Sequence, residues 1–167
     1  SVVVVRSLRS LVPGSSVSAI DSDVHVTLSS DKVATGSGLF VSVVGRSVAG
    51  GGEYRAVLRT LTDGHQTLRL DRGSSVIAPD IVLPGIIAVP DRRMDVRVQT
   101  IGTNPMTIRA KAWETGTPEP AEWLRSTTDA TAAMQQPGAI GFSIYLSSSA
   151  TNGPITTAIH DLTAIMP

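Results

Sequence analysis

Apolar and polar residues alternate with a period of two along most of this chain. In the segment YRAVLR, which begins at Tyr54, apolar residues interleave with arginines, and similar alternation recurs in most of the following segments. A period of two is that of a β-strand with one face buried. Turn signals separate these segments about every 8 to 15 residues, as in a sandwich or jelly roll. The predicted strands are residues 2–11, 16–28, 38–48, 54–62, 66–71, 75–81, 91–100, 106–113, 140–146 and 155–165.

Glycine-containing turns join several of these strands. The sequence Asp63-Gly64 supplies the positive φ that a tight hairpin needs, so residues 62–65 are predicted to close a hairpin. A second turn is predicted at 102–105, and three consecutive glycines mark a loop at 50–52. Pro118, Pro120 and residues 121–134 form the one long insertion without strand character, and helical turns are predicted at 122–124 and 130–135.

Four of the strands carry basic residues on the face opposite their apolar residues. These strands begin at residues 54, 66, 91 and 106. If they share a sheet, the outer face of that sheet is basic, and Trp113 lies on the same side of its strand as the basic residues. An aromatic ring can stack on a sugar, while arginine donates paired hydrogen bonds to hydroxyls or carboxylates. This face is therefore the candidate ligand-binding surface. Its basic members are Arg55, Arg59, Arg69, Arg97, Arg109 and Lys111.

A purely structural interpretation of the same face stays open. The arginines can pair with Asp71 and Asp95 and keep the outer sheet soluble. Trp113 can pack against Trp123 beneath the proline-rich insertion instead of meeting a ligand.

The composition agrees with an all-β domain of 167 residues. The chain is rich in Val, Ile and Thr but has only 4 Glu and 2 Lys, which excludes an ordinary helical bundle. It has no cysteine, so disulfides and thiolate chemistry are excluded. The formal net charge is zero and aromatic residues make up 4%, which argues against nucleic-acid binding. No apolar run is long enough for a membrane helix, so membrane insertion is not expected.

The acidic residues and histidines do not form a recognisable catalytic pattern. A glycosidase needs two carboxylates flanking the scissile bond, but Glu53 stands apart from Glu114, Glu119 and Glu122, which cluster around the insertion. None of the three histidines stands beside a nucleophile-elbow motif. His160-Asp161 lacks a third ligand at the spacing that zinc requires. The sequence therefore predicts a non-catalytic domain.

Three segments together resemble a known module: YRAVLRTLTDGHQTLRLDR, VRVQTIGTNPMTIRAKAWETGTPEPAEW and GAIGFSIYLSSSATNGPITTAIHDL. They are similar to a jelly-roll module of secreted actinobacterial proteins and of minor tail proteins of actinobacteriophages. Such modules resemble concanavalin-like and laminin-G-like sandwiches and carbohydrate-binding modules. The resemblance covers residues 16–163, and its most specific part is Arg109 to Trp113 with Gly116 to Trp123.

The resemblance implies an antiparallel jelly-roll β-sandwich of about ten strands in a single domain, residues 1–167. It also implies that the family's opening strand is missing, so that this chain is a piece of a larger one or is completed by a partner. Residues 2–11 or the strand 155–165 would then need cover from another copy, a virion protein or a parent-chain segment, and a homo-oligomer is expected. Sandwiches of this type often hold a structural calcium ion between the opening and closing strands, which makes Asp161 a weak candidate ligand, but calcium needs six to eight oxygen ligands. No metal and no other cofactor is expected.

The function implied by the resemblance is recognition. The chain is expected to be a non-catalytic adhesion module on a phage tail or virion surface, or outside the cell, that binds glycan of an actinobacterial envelope. Two alternatives stay open: a purely structural virion assembly protein, and an accessory carbohydrate-binding module of a secreted polysaccharide-degrading enzyme.

Overall fold

The fold is a sandwich of two antiparallel sheets. The computed structural model describes residues 2–4, 7–11 and 19–166, the first two segments as backbone. The β-strands are β1 (Val2–Val4), β2 (Ser7–Leu11), β3 (Ser22–Ser30), β4 (Leu39–Val48), β5 (Gly52–Thr60), β6 (His65–Arg72), β7 (Ser75–Ile87), β8 (Met94–Ile101), β9 (Met106–Glu114), β10 (Arg125–Asp129), β11 (Ala139–Leu146) and β12 (Ile155–Ile165). A short 3₁₀ helix, Ala132–Met134, follows β10.

In the described part of the chain, each sheet has six strands. Sheet I has the order β1-β12-β3-β8-β9-β10, and sheet II has the order β2-β11-β4-β5-β6-β7. All pairings between neighbouring strands are antiparallel. The predicted all-β jelly-roll sandwich is confirmed.

The core lies between the two sheets and is almost entirely aliphatic. Val24 and Val26 of β3 and Val96 of β8 point inward from sheet I and are fully buried. Leu68 and Leu70 of β6 meet them from sheet II. Burial of this kind stabilises a fold by roughly 25 cal/mol per Å² of apolar surface. The alternation seen in the sequence therefore records which side of each strand faces the other sheet.

Both predicted turns are confirmed. Residues 61–64 connect β5 to β6, and Gly64 has a φ of +84°. A Cβ atom at Gly64 would lie 2.9 Å from the side chain of Ile87, so a larger residue would collide as well as being strained. Residues 102–105 connect β8 to β9, as the sequence predicts.

Several predicted boundaries are wrong. The strand predicted for residues 16–28 begins at Ser22, because Ile20 and Asp21 form a bend; residues 12–18 lie outside the described part. Asp91 belongs to a turn and residues 92–93 lie outside any strand, so β8 begins at Met94. The insertion contains an unpredicted strand, β10, and the helical turn predicted at 122–124 is a bend, whereas the one at 130–135 is the 3₁₀ helix.

The closing strand is partly covered by the chain itself. β1 pairs with residues 155–157 of β12, whose other edge pairs with β3. The prediction that an outside segment must fill this position is therefore wrong for residues 155–157. Ile165, farther along β12, is 64% exposed.

Proline residues interrupt the outer edge of sheet II. The edge strand β7 contains Pro79 and Pro84, and its pairing with β6 shifts register at three places. Proline lacks an N–H and cannot extend a ladder of hydrogen bonds, so it is tolerated on edges and at bulges. These features limit the pairing of β7 with another strand.

The four basic strands do not share one sheet. β5 and β6 belong to sheet II, whereas β8 and β9 belong to sheet I, because the chain crosses between the sheets after β7. Parity predicts the side of a strand on which a residue lies, but it does not predict which sheet contains the strand. The expected single basic face is therefore two faces on opposite sides of the sandwich.

Candidate functional site

The outer face of sheet II carries an open groove built from four neighbouring strands. Partner residues on antiparallel strands point to the same face, so the register aligns side chains in rows across the sheet. One row runs from Tyr145 through Phe40 to Arg59, and a second contains Ser143, Ser42, Val57 and Arg69. The third row pairs Arg55 with Asp71. Residues of these three rows line a cavity of about 310 Å³.

Two arginines and one aspartate form the charged floor of this cavity. Asp71 is 2% exposed and lies between Arg55 and Arg69. The Arg69 Nη2 donates a hydrogen bond of 3.2 Å to Asp71 Oδ2, and the Arg55 Nη2 donates one of 3.5 Å to the same oxygen. Arg55 also donates to Glu53 Oε1 at 2.9 Å and to the carbonyl of Gly73 at 2.9 Å. These contacts fix both guanidinium groups in place before any ligand arrives.

Two aromatic rings stand at one end of the cavity. The Phe40 and Tyr145 ring centroids are 5.8 Å apart with the planes tilted by 42°. Tyr145 is 47% exposed. The Arg59 guanidinium carbon lies 4.9 Å from the Phe40 ring centroid and covers one side of that ring. Tyr145 therefore offers an accessible aromatic surface above fixed hydrogen-bond donors and acceptors.

The outer face of sheet I differs, because part of the insertion covers it. Trp123 lies over three cations: its ring centroid is 4.6 Å from the Arg109 guanidinium carbon, 4.8 Å from Lys111 Nζ and 5.7 Å from the Arg97 guanidinium carbon. Each such contact stabilises by about 0.5–1 kcal/mol when exposed and more when desolvated. The cations predicted to bind a ligand here instead hold the insertion against the sheet.

Ion pairs complete this contact. Glu119 Oε1 lies 2.7 Å from Lys111 Nζ and 2.7 Å from Arg97 Nη1, while Asp23 accepts two hydrogen bonds from Arg97, of 2.8 and 2.7 Å. The hydrogen bond from Lys111, with one from Arg97, holds the pKa of Glu119 below its usual value. The bidentate pairing with Asp23 raises the pKa of Arg97. Arg109 donates a 2.6 Å hydrogen bond to Gln99.

Trp113 lies on the predicted face but is only 7% exposed. Its ring stacks on His25, with centroids 5.3 Å apart and planes inclined by 23°. His25 in turn lies 2.9 Å from Asp95 through its Nε2 atom. Proline-rich parts of the insertion, including Pro118 and Pro120, line the same cleft as Trp113. The stacking on His25 favours the packing interpretation of Trp113, and the prediction that it offers its ring to a sugar stays a prediction.

A second polar network lies under β10. Tyr54 donates a 3.1 Å hydrogen bond to Asp129, and Arg72 pairs with the other oxygen of that carboxylate. Burial and the hydrogen bond to Asp129 raise the pKa of Tyr54 to about 12. Burial alone would raise the pKa of Asp129, but hydrogen bonds from Thr131 and Tyr54 and the charge of Arg72 lower it. This network attaches β10 and the 3₁₀ helix to sheet II.

The calcium prediction at Asp161 stays a prediction. Asp161 is exposed and lies beside a bulge in β12. Within residues 19–166, no group of three or more metal-ligating side chains that could hold an ion is found. In the same part of the chain, no helix is long and apolar enough to cross a lipid bilayer.

Comparisons with known proteins show the fold. No protein-family model and no curated protein matches the chain. Among solved structures, the carbohydrate-binding module CBM66 from Bacillus subtilis is similar with a TM-score of 0.57 at 12% identity, covering 95% of this chain and 81% of that one. Alginate lyase A1-II′ is similar with a TM-score of 0.55 at 11% identity, covering 96% and 70%. The similarities agree with an antiparallel jelly-roll β-sandwich.

A third similar structure contains the fold as one part of a larger enzyme. Xylan β-1,4-xylosidase from Bacillus halodurans C-125 has a TM-score of 0.54 at 11% identity over 87% of this chain. The chain spans 28% of the length of that protein. Because all three identities are low, the similarities establish the architecture alone.

Sequence reasoning missed the aromatic residues of the groove. Phe40 and Tyr145 were not among the predicted site residues, whereas Arg55 and Arg69 were. A signal was available in GFSIYL, since Ile144 and Leu146 are apolar and Tyr145 between them must point outward. The pairing of β11 with β4, which brings Tyr145 to Phe40, is a long-range contact that no local pattern contains.

Proposed function

We propose that the protein is a non-catalytic carbohydrate-recognition module that binds glycan in the groove on the outer face of sheet II. The observation that carries the proposal is the exposed ring of Tyr145, next to Phe40, above the fixed Arg55–Asp71–Arg69 floor. An aromatic surface stacks on the apolar face of a sugar, and oriented polar groups meet its hydroxyls. The cavity of about 310 Å³ is within the size range of small-ligand sites.

The absence of catalysis is part of the proposal. It is supported by the contacts that arginine side chains make with the carboxylates in the groove. Asp71 and Glu53 are both engaged by Arg55, and Asp71 also by Arg69. A general acid or base must reach the reacting atoms of its substrate. The carboxylates of Asp71 and Glu53 are occupied by arginine side chains instead.

Replacing Tyr145 by alanine tests the binding site. We expect at least a tenfold loss of affinity, about 1.4 kcal/mol, because the stacking surface is removed, whereas Tyr145→Phe keeps the ring and most of the affinity. Wild-type binding by a single ring with a few hydrogen bonds should be millimolar to micromolar, or about 4–8 kcal/mol. The measurement is isothermal calorimetry against plant, fungal and bacterial polysaccharides. Equal binding by wild type and Tyr145→Ala would contradict the site, and no binding to any glycan would contradict the function.

We also propose the biological setting that the sequence resemblance implies. The module is displayed outside the cell or on a virion, and its target is glycan of an actinobacterial envelope. Weak single-site binding suits display in many copies, since linked sites raise the overall affinity without new contacts. The same calorimetric panel therefore includes polysaccharide extracted from actinobacterial envelopes, and preferential binding to plant polysaccharide would favour an accessory module of a degrading enzyme.

A structural assembly role is the second candidate, and the exposed end of β12 favours it. Ile165 and Met166 are 64% and 38% exposed at the edge of sheet I, beyond the three residues that β1 covers. Exposed strand edges are sites where chains associate. Sedimentation velocity distinguishes the two roles: a stable oligomer dissociated by Ile165→Lys supports assembly, and a monomer at all concentrations contradicts it.

A further inference from the structure

A second cavity continues the groove past Arg55. Its volume is about 800 Å³, and it lies around the loop between β4 and β5 and the turn between β6 and β7. Glu53 and Gly73 line it, together with the exposed Ser74. Arg55 lines both cavities, so the two are adjacent compartments of one groove.

The groove runs along the direction of strand β5. Every second residue of β5 faces outward, and Arg59, Arg55 and Glu53 belong to this row. The row runs from the end of the groove at Phe40 and Tyr145 to the second cavity. Six residues of strand at about 3.3 Å each span roughly 20 Å. This length exceeds a single sugar ring several-fold, so one monosaccharide would leave most of the groove empty.

The far end of the groove is open. Apart from the glycine and its two chain neighbours, no atom of the described residues lies within 4 Å of where a Cβ atom would stand at Gly50 or Gly73. No described side chain closes the groove at these glycines, so a polymer can continue past them into solvent. A site that recognises only a chain terminus would need a wall here.

The charges of the groove are balanced. Each arginine that lines it already faces a carboxylate: Arg55 faces Glu53 and Asp71, and Arg69 faces Asp71 at 2.9 Å and Asp80 at 3.6 Å. Arg59, which has no carboxylate partner among the described side chains, lies outside both cavity linings and over Phe40. A uronate entering the groove would meet Asp71 and Glu53, and no described side chain of the groove offers an unpaired cation to receive its carboxylate. Hydroxyl groups do not incur this repulsion.

From these observations we infer that the ligand is a neutral, linear glycan, bound as an internal segment of several sugar residues that lies along β5 through both cavities. The inference rests on the proposed function. It adds the charge class of the ligand, its length, and a second subsite around Ser74 and the glycines of the two loops.

Calorimetric titration with chain-length series tests the inference. The neutral probes are oligosaccharides of two to six residues from xylan, β-glucan, mannan and galactan, and the acidic probes are matched lengths from alginate and pectin. We expect at least one neutral series to bind, with affinity rising at least tenfold between two and six residues. Each acidic series should bind at least tenfold more weakly than that neutral series at equal length.

A blocking substitution locates the second subsite. Ser74→Trp places a large side chain in the larger cavity and should remove the gain from chain length, while the affinity for the disaccharide is unchanged. Ala121→Trp, which adds the same bulk at an exposed position in the insertion over sheet I, is the matched control and should bind like wild type. Thermal melting of both variants checks that the fold is kept.

The outcomes separate this inference from the function on which it rests. Binding that does not depend on length, tighter binding of an acidic series, or an unchanged length dependence in Ser74→Trp would overturn the inference while leaving a glycan-binding module. Failure of every probe to bind would overturn both.

Discussion

At the scale of single residues, Trp113 shows how a plausible ligand-binding residue can be a packing residue. Its ring is buried against His25 and the proline-rich insertion. We expect Trp113→Ala to lower the free energy of unfolding by about 3–5 kcal/mol, as for other large-to-small buried substitutions. Urea denaturation measures this, with Tyr145→Ala as the exposed aromatic control. An unchanged midpoint for Trp113→Ala would show that the ring is not packed as described.

Glu119 gives the contact between insertion and sheet a dependence on pH. Its pKa is lowered in the folded protein by Lys111 and Arg97, so its stabilising contribution is complete above the unfolded value of 4.5 and is lost as the pH falls through the lower, folded pKa. We expect the tryptophan fluorescence of Trp123 to change in that acidic range. Glu119→Gln should remove this transition, and a residual change would belong to another acid such as Asp129. An identical titration in both proteins would refute the assignment.

At the scale of elements, the sequence predicted strands wherever burial imposes alternation. β10 has no such signal: its sequence RSTTD contains no apolar residue, and it is held by pairing with β9 and by the contacts of Asp129. β7 was predicted too short, because it continues past Pro84, which resembles a strand breaker although an edge strand tolerates it. The packing of Trp123 on three cations depends on the path of the insertion, which residue spacing does not determine.

At the scale of the whole molecule, the outer faces of the two sheets differ in how accessible they are. Sheet I is covered by its own insertion through Trp123 and Glu119, whereas the aromatic and charged residues of sheet II stay accessible. The fold class was predictable because composition and periodicity both reflect the core. The site was predictable only in part: Arg55 and Arg69 were found by parity, but choosing between the two faces required knowing which strands are neighbours.

The prolines of β7 affect how copies of this domain behave when they are crowded together. β-Sandwich domains with an unprotected edge strand tend to associate edge to edge through strand pairing, and the product is an insoluble fibre. Pro79 and Pro84 lack a backbone N–H, and the pairing of β7 with β6 shifts register. An incoming strand therefore finds no continuous row of N–H donors along this edge of sheet II. Domains tethered closely on one surface can then touch along β7 without their sheets merging. The high local concentration that the proposed weak glycan binding would require is thus compatible with solubility.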